Sequence, residues 1–206
     1  MKTIFILSGY SCGSSAMAGF FQRCGAHSCP PHSWTKDDKT VISYENVDLK
    51  QNLEALFSMK KETQFFEQKG SLNDFAEFFS RWIKTQTITA SGVGKRFMVI
   101  KHPLTIFALE KIQPFLCKPS YIVLKRPLDD VEKSRIRRGW GPVYGREGAQ
   151  TIYERIAKVT RHLNLRTFEI SYNDFRFNTD THTQMLEFCN LEIDENKKQD
   201  ASNWIR

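Results

Sequence analysis

Three short stretches of the chain concentrate residues able to hold an anion and move a group. The first is Ser8-Gly-Tyr-Ser-Cys-Gly-Ser-Ser15, small and hydroxylated, directly after the apolar run Thr3–Leu7. Gly9 and Gly13 permit positive φ and close backbone approach, while Ser14 and Ser15 place hydroxyls where a helix start favours negative charge. An ordinary strand-to-helix turn with a serine cap would use the same residues. The stretch lacks the Gly-Lys-Ser/Thr ending that carries a γ-phosphate lysine, which disfavours a nucleoside-triphosphate kinase. In the second stretch, Tyr121 to Ser134, Arg126 leaves an apolar strand and Ser134 follows on the next helix. A guanidinium at a strand end and a helical hydroxyl can grip one phosphate from two directions. The third is Lys101-His102, which closes the apolar run Phe97–Ile100 with a point charge and a side chain that titrates near neutrality.

Other polar clusters are less informative. Cys24, His27, Cys29 and His32 are all potential zinc ligands, but they lack the long spacer of a zinc finger, and Cys24 fits the apolar face of a helix. No metal is expected. Arg135, Arg137 and Arg138 suit either a phosphate or the C-terminal dipole of their own helix. Gly139-Trp140-Gly141 offers a ring that can stack on a base or wedge a loop closed.

The elements that must position these stretches follow from hydrophobic periodicity. Strands are predicted at Thr3–Leu7, Phe97–Ile100, Tyr121–Leu124 and Thr167–Ile170. Between them run amphipathic helices carrying Ala16, Met17, Phe20 and Phe21; Leu49, Leu53 and Leu56, with Asp48 as the expected cap; and Phe75, Phe79 and Trp82 behind a Ser71/Asp74 capping box. Further helices are expected from Pro103 to about Gln113, from Asp129 toward Arg138, through Ile152, Ile156 and Val159, and over Thr183–Cys189. Gly25 to Asp38 reads as loop. Strands that alternate with helices and are apolar throughout imply an α/β three-layer sandwich: a central parallel sheet covered on both sides.

The composition agrees. The 206 residues suit a single domain spanning 1–206, and 40% hydrophobic and 13% aromatic residues exclude a disordered chain. A net charge of +7 favours an anionic partner. There is no apolar stretch long enough for a membrane-spanning helix and no signal-peptide core, and the five cysteines are odd in number. The expectation is a cytoplasmic protein with reduced thiols and no membrane partner.

Taken in order, these stretches resemble the sulfotransferases that use 3′-phosphoadenosine 5′-phosphosulfate (PAPS), whose fold has a P-loop-like nucleotide-binding topology. Cys12-Gly13-Ser14-Ser15 is similar to the end of that family's 5′-phosphosulfate loop, and Arg126 with Ser134 to its 3′-phosphate element. Ile100-Lys-His-Pro103, Tyr44-Glu-Asn46 and Ile170-Ser-Tyr-Asn-Asp-Phe175 resemble further landmarks. The resemblance implies transfer of a sulfuryl group from PAPS to a hydroxyl or amine of a small-molecule or glycan acceptor; a nucleic-acid partner is not expected. It implies that Ser11, Cys12, Gly13, Ser14, Ser15, Arg126 and Ser134 hold the nucleotide. Lys101, His102 and Glu45 are the candidate catalytic residues, Lys101 for charge stabilisation and His102 or Glu45 as base, with His32 a more distant rival. The family's basic loop residue falls at Ser11, leaving Lys101, Lys95 or the Arg135–Arg138 cluster as the expected substitute cation. A noncatalytic nucleotide- or nucleic-acid-binding module on the same fold is the alternative.

Overall fold

The computed structural model describes residues 1–35, 37, 40–61 and 64–205. In chain order, β1 (Lys2–Ser8) leads into α1 (Ser14–Arg23), then β2 (His32–Trp34), β3 (Ile42–Asn46), α2 (Val47–Leu56) and α3 (Leu72–Gly92). β4 (Phe97–Lys101), α4 (Thr105–Ile112), β5 (Ser120–Lys125), α5 (Leu128–Arg137) and α6 (Arg146–His162) follow. The chain closes with β6 (Thr167–Ser171), α7 (Tyr172–Phe177), α8 (Thr179–Phe188) and α9 (Glu195–Ile205).

Four strands form a parallel sheet in the order β4-β1-β5-β6. Strand alternation divides their side chains between two cores. Ile4, Ile6, Val99, Ile122 and Leu124 pack with Met17, Phe20 and Phe21 of α1 and Met185 of α8. Phe5, Leu7, Met98, Ile100 and Val123 pack with Leu53 of α2, Phe79 of α3, Leu109 of α4 and Ile152 of α6. Helices therefore cover both faces, and the fold is the three-layer α/β sandwich expected from the apolar strands.

Local details depart from the sequence reading. Part of the expected loop after Gly25 is a small antiparallel pair, β2 with β3; Asp38, where that loop was to end, lies outside the described residues. Asn46 caps α2 in place of Asp48, its Oδ1 accepting from the Leu49 N–H at 2.9 Å and from Trp82 Nε1 at 3.0 Å. An asparagine at the strand end can serve the helix and anchor a neighbouring helix at once, whereas Asp48 sits within the first turn and interacts with the dipole alone. The Ser71 cap forms as expected, accepting from the Asp74 N–H at 3.2 Å. Among the described residues, no helix is long and apolar enough to cross a membrane.

Candidate functional site

The chain leaves β1 for β4 on one side and returns to β5 on the other, so a crevice opens at the carboxyl ends of β1 and β5. Ser8 pairs with Leu124, and the loop after β1 emerges beside Arg126. Within that loop Ser11 has φ 57° and Gly13 φ 90°. Gly13 is the residue before α1 and among the described residues no side chain caps the helix, which leaves first-turn N–H groups for a ligand. Its glycine is required twice over: by φ, and because a Cβ there would lie 2.2 Å from the Tyr172 ring. Gly9 does not use positive φ; it admits close approach of Ala149 on α6, 3.1 Å from where a Cβ would stand.

Cys12 anchors the loop from below. Its Sγ lies 3.1 Å from the Tyr10 carbonyl and 2.9 Å from the Tyr153 hydroxyl, and that hydroxyl also accepts from the Arg126 N–H at 2.9 Å. Burial pushes the Cys12 thiol up to about 11, so it is a neutral structural group. The Arg126 guanidinium reaches over the loop: Nη1 donates to the Ser11 carbonyl at 3.1 Å and Cζ stands 4.7 Å from the Tyr172 ring centre. Ser11 is nine-tenths buried, and its Oγ has no hydrogen-bond partner among the described residues.

Two cavities meet at this loop. One, of about 690 Å³, is basic: Ser15, Arg126 and Ser134 line it together with Arg23, Lys133 and Arg176. The second, of about 570 Å³, is bordered by the loop residues Ser11 and Gly13 to Ser15, by Lys101 and Glu45, and by the rings of Tyr10, Trp140 and Tyr144. Ser15, Thr40, Arg126, Arg138 and Tyr172 border both. Trp140, readable from sequence as a base-stacking ring, borders the second cavity instead of the basic one.

Lys101 and His102 are neighbours in sequence and diverge in space. Lys101 has the parity of Phe97 and Val99, which face α1, and its Nζ donates to Glu45 Oε1 at 2.6 Å, the Ser43 carbonyl at 3.2 Å and Ser15 Oγ at 3.4 Å. Burial alone would raise the Glu45 carboxyl; the charge of Lys101, then those of His102 and Lys50, outweigh it and hold the group below its usual value of 4.5. His102 lies under the Tyr10 ring, 1% exposed, its Nδ1 accepting from the Leu104 N–H at 3.2 Å. Burial, helped by the charges of Lys101 and Lys50 and opposed by Glu45, lowers its imidazole to about 4. His102 does not border the second cavity, whereas Lys101 and Glu45 do.

Sequence reasoning missed several bordering residues. Lys50, 3.9 Å from both Glu45 and Glu54, follows the Glu45 landmark by little more than a helical turn, a spacing that was the available signal. Asp37, a partner of two cavity-lining arginines, gave none: its buried carboxylate accepts from both Nη atoms of Arg137 at 3.0 Å and lies 2.6 Å from Arg138 Nε. His27 and His32 are engaged elsewhere, with Gln86 and with the Ser28 carbonyl. Among the described residues no cluster suits a metal.

No protein-family model and no curated protein matches the sequence. Solved structures that share its fold include the sulfotransferase domain of the Synechococcus PCC 7002 olefin synthase. That domain is 18% identical with a TM-score of 0.55, over 96% of this chain and 76% of that one. The sulfotransferase domain of the curacin biosynthetic pathway is 16% identical with a TM-score of 0.57, over 94% of this chain and 75% of that one. At such identities the likeness is one of fold.

Proposed function

We propose that the protein transfers a sulfuryl group from PAPS to a hydroxyl or amine of a small-molecule or glycan acceptor. The observation that carries the reading is the pair of cavities meeting at Ser15 and Arg126, one basic and one holding a buried lysine–glutamate pair. The fold shared with sulfotransferase domains supports it. The residues present fit such a donor: an uncapped helix start, the orphaned Ser11 hydroxyl and the cations around Ser134 suit a ligand with two phosphate ends. The bound donor supplies a sulfuryl group, whose sulfur gains a bond to the acceptor oxygen or nitrogen as its bond to the bridging phosphate oxygen breaks and that electron pair departs with the phosphate.

The chain's own residues orient the partners and move the proton. Gly13 to Ser15 and Arg126 hold the loop end of the donor in the crevice, with Ser134 on the wall of the basic cavity. Lys101 faces the acceptor side as a fixed positive charge for the oxygens that become more negative during transfer. Glu45, ionised and hydrogen-bonded to Lys101, takes the acceptor's proton. We assign this role to Glu45 over His102 because Glu45 borders the second cavity and His102 does not.

Calorimetry at low salt with 3′-phosphoadenosine 5′-phosphate (PAP) tests the binding half; saturable binding weakened by Arg126→Ala and by Ser134→Ala is expected. Incubation with labelled PAPS and an acceptor panel tests transfer. Absence of PAP binding ends the proposal. Tight PAP binding without any sulfated product would instead favour the noncatalytic module that Ser11 suggests.

A further inference from the structure

Among the described residues four cations border the second cavity, and three of them are already engaged. Lys101 spends its three N–H bonds on Glu45, Ser43 and Ser15. Lys50 lies between Glu45 and Glu54. Arg138 is paired with Asp37 and its guanidinium is 4.5 Å from the Trp140 ring centre. Arg126 differs: among the described residues it has no acidic partner, and its guanidinium makes a single hydrogen bond, to the carbonyl of Ser11. A guanidinium has five N–H donors in a planar fork, so most of this one remains for a ligand.

Its place is constrained from three sides. The bond to Ser11 ties it to the loop, the Tyr172 ring braces its face, and the Tyr153 hydroxyl fixes the backbone from which it springs. Tyr172 also covers Gly13, so loop and guanidinium share one wall. Ser11, at the position where the resembling family carries its basic loop residue, contributes an unpartnered hydroxyl that is nine-tenths buried. Arg126 borders both cavities, and the field of its charge reaches Arg138, whose own guanidinium it disfavours. Like charges close enough to disfavour one another suit an additional anion.

We propose that Arg126 is the cation of the phosphate loop: anchored on Ser11, it contacts the 5′-phosphate end of the nucleotide and the group passing between the cavities, and leaves the 3′-phosphate to Ser134 and its neighbours. This rests on the nucleotide reading above and reassigns the role that the family resemblance implied for Arg126. A loop without a basic side chain of its own thereby gains one from the adjacent strand end. Ser134, Lys133, Arg23 and Arg176 remain on the basic cavity to meet the other phosphate.

A ligand-truncation series tests the assignment. PAP is titrated by calorimetry, and 5′-AMP and 3′-AMP are measured as competitors that displace it. Arg126→Gln is expected to weaken PAP and 5′-AMP by the same factor, roughly tenfold or more as for a lost charge-assisted hydrogen bond, and to leave 3′-AMP unchanged. Ser134→Ala shows the reverse pattern, weakening PAP and 3′-AMP and sparing 5′-AMP. Ser11→Lys added to Arg126→Gln restores 5′-AMP binding, a gain that general damage to the fold cannot produce. An Arg126→Gln loss confined to PAP and 3′-AMP overturns the assignment while leaving the nucleotide reading intact. Failure of the unaltered protein to bind PAP overturns that reading itself.

Discussion

The Lys101–Glu45 pair gives the most quantitative expectation. Both side chains are more than nine-tenths buried, and the ammonium has three oxygen partners at 2.6, 3.2 and 3.4 Å. Removing one member of a buried pair leaves the other charged and desolvated, a loss of about 3–5 kcal/mol. Lys101→Met leaves Glu45 with Lys50 at 3.9 Å, a partial replacement, so the low end, about 3 kcal/mol, is expected. For a chain of 206 residues that is a fall in Tm of about 6–12 °C. Glu45→Gln leaves the ammonium with neutral acceptors only and should cost a similar amount. The double variant Lys101→Met/Glu45→Gln carries no orphaned charge and should cost about 2 kcal/mol less than the sum of the singles. Because folding lowers the Glu45 carboxyl, its contribution is complete above pH 4.5 and is lost as pH falls through the lowered value, an acid sensitivity absent from Glu45→Gln. Urea denaturation across pH, with scanning calorimetry for Tm, reads all of these. Single variants within about 1 kcal/mol of the parent, or a strictly additive double, would refute the reasoning.

Other outcomes follow from single contacts. Gly13→Ala forces a side chain into positive φ and against the Tyr172 ring, so a loss of at least about 1–3 kcal/mol and of PAP affinity is expected by urea titration and calorimetry; an unchanged variant would show that the loop readily adopts another path. Tyr153→Phe removes the hydroxyl joining Cys12 to the Arg126 backbone, and a loss of about 1–2 kcal/mol with weaker PAP binding is expected. His102, held near 4 against an ordinary 6.5, stabilises the fold fully above pH 6.5 and loses that contribution as pH falls toward 4, at most about 3 kcal/mol. His102→Gln should flatten this part of the stability–pH curve, and an unaltered slope would place the imidazole in water.

The sheet was legible because its strands are apolar on both faces: Ile4 to Leu7 and Tyr121 to Leu124 leave no wet side, and buried parallel pairing is the arrangement that satisfies them. The short β2 and β3 strands were not. His32 to Trp34 is partly exposed and too brief for periodicity to register. α9 was hidden for a related reason, since Glu195 to Ile205 buries only Ala201 and Ser202 fully and carries little apolar pattern. For the site, residue types at strand ends located the loop, Arg126 and Lys101. Glu45 was readable as a candidate base, but its pairing with Lys101 across 56 positions, like that of Arg137 with Asp37 across 100, was not, since one sequence contains no pairing signal at such separations.

Asp37 is in effect an internal counter-ion. Its buried carboxylate sits on Arg137 and Arg138, two of the cations bordering the basic cavity. Under the proposed function, an entering phosphate displaces fewer mobile salt ions from that wall than its guanidinium count implies, and the expected ionic-strength dependence of PAP binding is shallower than the chain's +7 would suggest.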